Sequence, residues 1–308
     1  MRSSLPVAAA LCGLFLICPI EAQRGEPLPP SLVKMIDTER AFAARALVVG
    51  WKQAFLDYFS DDAIGFDDDQ VGLAKDQISK NPDPPKNLQL IWEPRYGDIA
   101  SNGELGYLTG PVRNILPSRN NGQPRHSNYA SVWKRQADGT YRVVMDFGVP
   151  TPGPVSYAPD FTRAPHANRF IGDYDEHTPP LGAADSVLNS ALRSGPTRAY
   201  RGRMADGGRL LRPGQLPVVG EQSINTWAAG QRTYAAADTR FTESARSGDL
   251  GYSWGMYAIR PVPAARGTGA PAAGRGRSTT PEHGFYVRVW VRERNGQWKL
   301  ALDVLQPQ

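Results

Sequence analysis

The stretch HSNYASVWKRQADGTYRVVMDFG, residues 126–148, returns as HGFYVRVWVRERNGQWKLALDVL, residues 283–305. At one constant offset His126 matches His283, Tyr129 matches Tyr286 and Trp133 matches Trp290. Arg135 then matches Arg292, Gly139 matches Gly296 and Asp146 matches Asp303. In the second copy Phe285, Val287, Val289 and Val291 alternate with Tyr286, Arg288, Trp290 and Arg292. Alternation with a period of two describes a strand with one face on a core. Ala137-Asp138-Gly139 supplies the turn between two such strands in the first copy. A repeat of this length predicts two copies of one small domain.

Upstream of the hairpin the copies stay in register at a second offset. Gly50 matches Gly195, Asp61 matches Asp206, and Leu105-Gly106-Tyr107 matches Leu250-Gly251-Tyr252. The first copy is expected over residues 32–148 and the second over 183–308, and a length of 308 residues suits two domains. The second copy carries extra residues between Arg260 and Glu282, in a run of Pro, Ala, Gly and Arg. Such a composition cannot build a packed strand, so a solvated loop is expected there. Residues 149–182 form a Pro-rich linker, which should be extended. Its Tyr157, Phe161 and Phe170 suggest that it lies across a domain surface. Ala43, Leu47, Trp51, Phe55 and Phe59 recur every four residues, the stripe of an amphipathic helix, which Gly50 should break in two. Short strands are expected near Ala63–Phe66, Leu88–Asp98, Leu105–Val112, Ser127–Arg135 and Tyr141–Phe147.

Residues 1–22 read as a signal peptide: Arg2 precedes an apolar run from Pro6 to Cys18, and Ala22 offers a cleavage point. The protein is therefore expected to be exported, in a periplasmic setting, with no membrane span after cleavage. Both cysteines, Cys12 and Cys18, fall inside that leader, so the mature chain would hold no disulfide. The net charge of +5 is modest and calls for no nucleic-acid partner. His166 and His177 stand apart from the repeated histidines, with no metal-ligand spacing, and no Gly-rich phosphate loop is present; no metal and no cofactor are expected.

Three elements resemble the nuclear transport factor 2-like superfamily, in particular its SnoaL-like and ketosteroid-isomerase-like members. They are Phe59-Ser60-Asp61-Asp62-Ala63, Leu105 to Gly110, and Tyr129 to Asp146. The resemblance covers nearly all of the first copy and the later part of the second. It implies an α+β fold: two tandem cone-shaped α+β barrels, each with helices packed in a curved antiparallel sheet. It also implies a pocket inside the cone and pairing through the outer face of the sheet. Carried onto this chain, the family's carbonyl-adjacent proton transfer would place its base at Asp67. The positions of its tyrosine and acid donors, near Ala43 and Ser131, hold neither residue type, and Arg212 stands at the base position of the second copy.

The candidate catalytic residues are Asp67, His126 and Asp146. A His126–Asp146 pair could move protons near neutral pH. The plainer readings are a solvated acidic turn for Asp67, a loop histidine, and an ion pair at the sheet edge for Asp146. The candidate ligand-binding residues are Trp51, Phe55, Tyr107, Tyr129, Trp133, Tyr252, Tyr286 and Trp290, which could equally be sheet packing. Three functions follow: binding of a small apolar ligand in the cone, isomerase or dehydratase chemistry, and an interaction module built as an internal pseudo-dimer, with a homodimer as its intermolecular counterpart.

Overall fold

The computed structural model describes residues 27–67, 70–170, 172, 180–260 and 282–308, with only the backbone of Asp67. The expected signal peptide, Asp68, Asp69 and the expected loop at 261–281 lie outside the described residues.

The first half opens with helices α1 (Pro30–Val49) and α2 (Trp51–Tyr58). A hairpin β1 (Ile64–Asp67) and β2 (Gln70–Leu73) leads to α3 (Ala74–Lys80). Strands β3 (Gln89–Trp92), β4 (Tyr96–Ile99), β5 (Leu105–Ile115), β6 (Arg125–Arg135) and β7 (Tyr141–Pro150) follow, then β8 (Thr162–Arg163). The second half has α4 (Leu181–Ser194), α5 (Pro196–Tyr200), β9 (Met204–Leu211), β10 (Val218–Val219) and α6 (Glu221–Ala228). It ends with β11 (Tyr234–Ser244), β12 (Leu250–Ile259), β13 (Glu282–Arg292) and β14 (Trp298–Pro307).

Twelve of these strands form two six-stranded mixed sheets, and β1 and β2 pair only with each other. The first runs β7-β6-β5-β4-β8, with β3 also on β5, and the second runs β10-β9-β14-β13-β12-β11. The repeated hairpins are β6–β7 and β13–β14, and each carries a bulge, at Val132/Trp133 and at Val289/Trp290. Those bulge positions match in the repeat, as expected where a sheet must bend around helices.

The helix stripe differs from its expected phase. Leu32, Met35, Ile36, Glu39, Phe42 and Ala46 form the buried face of α1, while Leu47 is exposed. Gly50 is the reason. It adopts a φ of +86°, ending α1 and starting α2 in a new direction, so one stripe cannot run through both helices.

Each sheet has two covered faces. One packs on its own helices: Phe42, Trp92, Tyr129, Trp133 and Val143 in the first half, Leu188, Tyr200, Tyr286, Trp290 and Leu300 in the second. The other face of each sheet enters a single shared layer. Leu105, Tyr107, Val132 and Phe147 lie there with Leu250, Tyr252, Val289 and Val304. Burying each such side chain contributes about 1.5–3 kcal/mol relative to exposure.

The contacts across this layer are reciprocal. The Ser101 amide donates to Asp249 Oδ2 (3.0 Å), and the Arg246 amide donates to Glu104 Oε2 (3.1 Å). Ser101 and Arg246 are matched positions in the repeat, as are Glu104 and Asp249. The linker is built into the fold rather than merely laid over it. Its β8 pairs with β4, and the Tyr157 hydroxyl donates to Asn128 Oδ1 (2.7 Å). Buried Arg169 binds Asp98 of the first half and lies 3.6 Å from Asp249 of the second.

Candidate functional site

Strand β6 turns Tyr129 and Trp133 toward the helices and Ala130 and Val132 toward the other sheet. Ser131 shares the helix side by parity. On that side sits Glu39, carried in by the buried face of α1 and only 1% exposed. It accepts hydrogen bonds from Trp92 Nε1 (2.6 Å), Ser131 Oγ (2.8 Å) and Trp133 Nε1 (2.9 Å). Burial raises its pKa above the ordinary carboxylate value in spite of those donors.

Asp146 on β7 lies directly opposite Ser131. It is partly buried and closes one side of a cleft of about 200 Å³ whose walls include Trp51, Phe55, Phe59, Phe66 and Ile78. Burial pushes the Asp146 carboxyl well above its ordinary value, and the nearby Glu39 pushes it further; the Phe147 amide opposes both weakly. Among the described residues no cation acts on it. On the same face of β6 the buried Tyr129 hydroxyl has no hydrogen-bond partner among the described residues. The cleft thus combines an aromatic wall with a carboxyl whose neutral form is favoured by burial.

The second half holds different chemistry at the matched positions. Asp303 accepts from the Tyr200 hydroxyl (2.9 Å) and pairs with Arg212 (3.3 Å) and Arg288 (3.6 Å). Arg288, which stands where the first half has Ser131, is wholly buried and binds Asp185 of α4 at 2.8 Å. Asp185 also accepts from the Tyr286 hydroxyl (2.7 Å) and Ser253 Oγ (2.9 Å). Burial pushes the Asp185 carboxyl up, but Arg288 and the hydroxyl donors outweigh it and hold the pKa below its ordinary value.

Strand pairing accounts for the difference in access. In the second half β9 runs alongside β14, with Leu210 paired to Asp303. In the first half the matching segment keeps only one bridge, Phe59 to Val143, and β1 then pairs with β2 instead. The hairpin so released lines the cleft that Asp146 borders, instead of extending the sheet alongside β7. Phe66 of that hairpin stacks near Phe147 (5.5 Å) and reaches Phe285 (4.4 Å) and Trp254 (5.3 Å) of the second half.

The predicted residues separate accordingly. Trp51, Phe55 and Asp146 meet at the cleft. Tyr129 and Trp133 belong to the helix-facing core behind it, and Tyr286 and Trp290 to its counterpart in the second half. Tyr107 and Tyr252 pack between the sheets, because their strand parity points them away from the helices. His126 does not pair with Asp146. It lies opposite Arg113, five residues along β6 from Ser131, and that odd spacing puts it on the other face of the sheet. Asp67 ends β1, paired in register with Gln70, and its side chain lies outside the described residues. Sequence reasoning missed Glu39, Asp185 and Arg288. The signal was an acid within an otherwise apolar helix stripe: Glu39 among Met35, Ile36 and Phe42, and Asp185 among Leu181, Leu188 and Leu192.

No protein-family model matches the chain, and no curated protein matches it. Among solved structures it is similar to a dehydratase candidate of the nuclear transport factor 2-like family from Streptomyces avermitilis. That likeness has 16% identity, covers 42% of this chain and 93% of the other, and has a TM-score of 0.30. It is also similar to a nuclear transport factor 2-like protein of unknown function from Shewanella oneidensis, at 12% identity, 38% and 97% coverage and a TM-score of 0.31. A ketosteroid isomerase candidate from Parabacteroides distasonis is similar at 16% identity, 41% and 89% coverage and a TM-score of 0.29.

Proposed function

We propose that this chain is a fused pair of cone-shaped nuclear transport factor 2-like domains, exported after loss of residues 1–22. In this reading the two cones pair back to back, and the first binds a small, largely apolar molecule bearing one oxygen. The reciprocal hydrogen bonds of Ser101 and Arg246 support a fused two-fold, in which each copy offers the other the same surface. The single observation that carries the ligand site is the contrast between Asp146 and Asp303. The matched carboxyl is tied to two arginines in the second half, and meets an aromatic cleft without a cation in the first. Apolar burial against Trp51 and Phe55 supplies affinity, and the protonated Asp146 orients the ligand oxygen.

Titration of the full chain with acetophenone, 2-naphthol and 1-indanone, read by calorimetry, tests the site. Binding of at least one, weakened about tenfold or more by Phe55→Ala and by Asp146→Leu, is expected. Indifference to both substitutions, or no binding in the panel, sinks the assignment.

A second reading, isomerase or dehydratase chemistry, is favoured by one observation: the unpartnered Tyr129 hydroxyl on the same sheet face as two raised carboxyls. There the ionised form of Asp146 would take a proton from carbon beside a carbonyl, hold it, and return it to carbon, while the tyrosine hydroxyl donates to the carbonyl oxygen. Deuterium entry into the acetophenone methyl group from D2O, lost in Asp146→Asn, would support it. A rate no faster than with free acetic acid would remove it.

A further inference from the structure

A second cleft, of about 210 Å³, opens in the second half and shares two matched wall positions with the first. Pro196 and Tyr200 stand on its wall where Trp51 and Phe55 stand in the other half. Its polar groups have the opposite character. Arg212 lines it, 4% exposed, and its Nε–H has no hydrogen-bond partner among the described residues. The other guanidinium nitrogens of Arg212 are engaged, by the Leu211 and Asp303 carbonyls and by the Tyr200 hydroxyl and Asp303 carboxylate. The Trp227 ring lies 5.4 Å from the Arg212 guanidinium and forms a flat wall beside it. Arg232 stands at the rim, more than a third exposed, paired with Glu282 at 2.7 Å.

We propose that this second cleft binds a small carboxylate with a flat or aliphatic body. A buried cation with an unused N–H requires an acceptor, and an anionic acceptor satisfies it best, since charge-assisted hydrogen bonds are the stronger ones. Ile259 and Leu305 supply the apolar lining for the body, and Trp227 the face on which it rests. Arg232 exchanges its exposed pairing with Glu282 for the arriving carboxylate, and an exposed pair of that kind costs little to break. Asp303 and Tyr200 hold Arg212 from behind, and its buried Nε–H turns toward the cleft as the ligand arrives.

The test uses the full chain and calorimetry with benzoate, phenylacetate and hexanoate, each against its neutral amide. Benzoate is expected to bind roughly tenfold or more tightly than benzamide, with affinity falling as salt is raised. Arg212→Gln should abolish binding. Because Arg212 also holds Asp303, Trp227→Ala and Arg232→Gln serve as second variants, each expected to weaken benzoate several-fold. Asp146→Asn, in the other cleft, should leave benzoate affinity unchanged, which separates this site from the first. Equal affinity for acid and amide overturns the proposal. So does loss of benzoate binding in Asp146→Asn with none in Trp227→Ala, and so does failure of all three carboxylates to bind.

Discussion

Asp146 and Asp303 occupy the same place in two copies of one hairpin, yet they live in opposite electrostatic surroundings. Asp303 faces two buried arginines and a tyrosine hydroxyl. Asp146 faces a second acid, Glu39, and an aromatic cleft. In the first case burial of charge is compensated by opposite charge, at a net cost or gain that is small but with heavy losses if one partner is removed. In the second, burial and the neighbouring Glu39 favour the neutral form of the carboxyl. A compensated carboxylate ties neighbouring elements together, whereas a carboxyl with no such partner among the described residues holds nothing in place by charge.

The most severe way to break this comparison is Arg288→Met. It strands Asp185 and Asp303 without their shared cation, and a loss of about 3–5 kcal/mol is expected in urea denaturation. A loss below about 1 kcal/mol would show that the network is not what stabilises the second half.

Next in size are the two matched substitutions. Asp303→Asn should cost about 2–4 kcal/mol at neutral pH, because Arg212 and Arg288 lose a charged partner. Asp146→Asn should cost nothing or stabilise. A carboxyl whose folded pKa is raised contributes stability below its ordinary value of 3.8, and that contribution is lost as pH rises toward the folded pKa. The Asp146 contribution should therefore fall with rising pH above about 3.8, and over that range the stability difference between the two proteins should shift in favour of Asp146→Asn. Parallel profiles would mean that Asp146 is ionised in the folded state, contrary to its role here.

Glu39→Leu removes the acceptor shared by Trp92, Ser131 and Trp133. Stranded donors cost about 1–3 kcal/mol, offset in part by the added apolar side chain. Since Glu39 also raises the Asp146 pKa, the pH profile should shift toward a lower pH in this variant, a change that packing alone would not produce. The smallest effect is expected for Arg246→Ala. Its side chain is 82% exposed, and its pair with Glu104 should be worth less than about 1 kcal/mol by thermal denaturation.

Much of the strand order was legible from alternation and turn residues. The five strand segments expected in the first half meet β1 and β3 to β7, with Leu88–Asp98 dividing at Glu93–Arg95 into β3 and β4. The helix phase was not, because Gly50 redirects the chain at a positive φ that a periodic count does not register. The site was half legible. Trp51, Phe55 and Asp146 could be named, since aromatic residues near a helix start and a repeated acid are visible as residue types. Their separation from Tyr107, Tyr252 and His126 could not, because only strand register and the bulge at Val132/Trp133 decide which face of a sheet a side chain takes. Glu39 was hidden for a different reason. A glutamate on a helix is ordinary until burial shows that nothing but protein surrounds it.

By itself the sequence determined the repeat, the helix-then-strand order and the residue types available at each matched position. These are local properties, written in spacing and polarity. Only the tertiary structure decided that β9 would lie along β14 while β1 peeled away from β7. Only there do Arg288 and Arg212 converge on Asp303 while Asp146 meets no arginine among the described residues. Strand pairing is a competition between distant segments for the same backbone hydrogen bonds, and charge compensation depends on distance in space. Neither quantity is carried by any single stretch of chain.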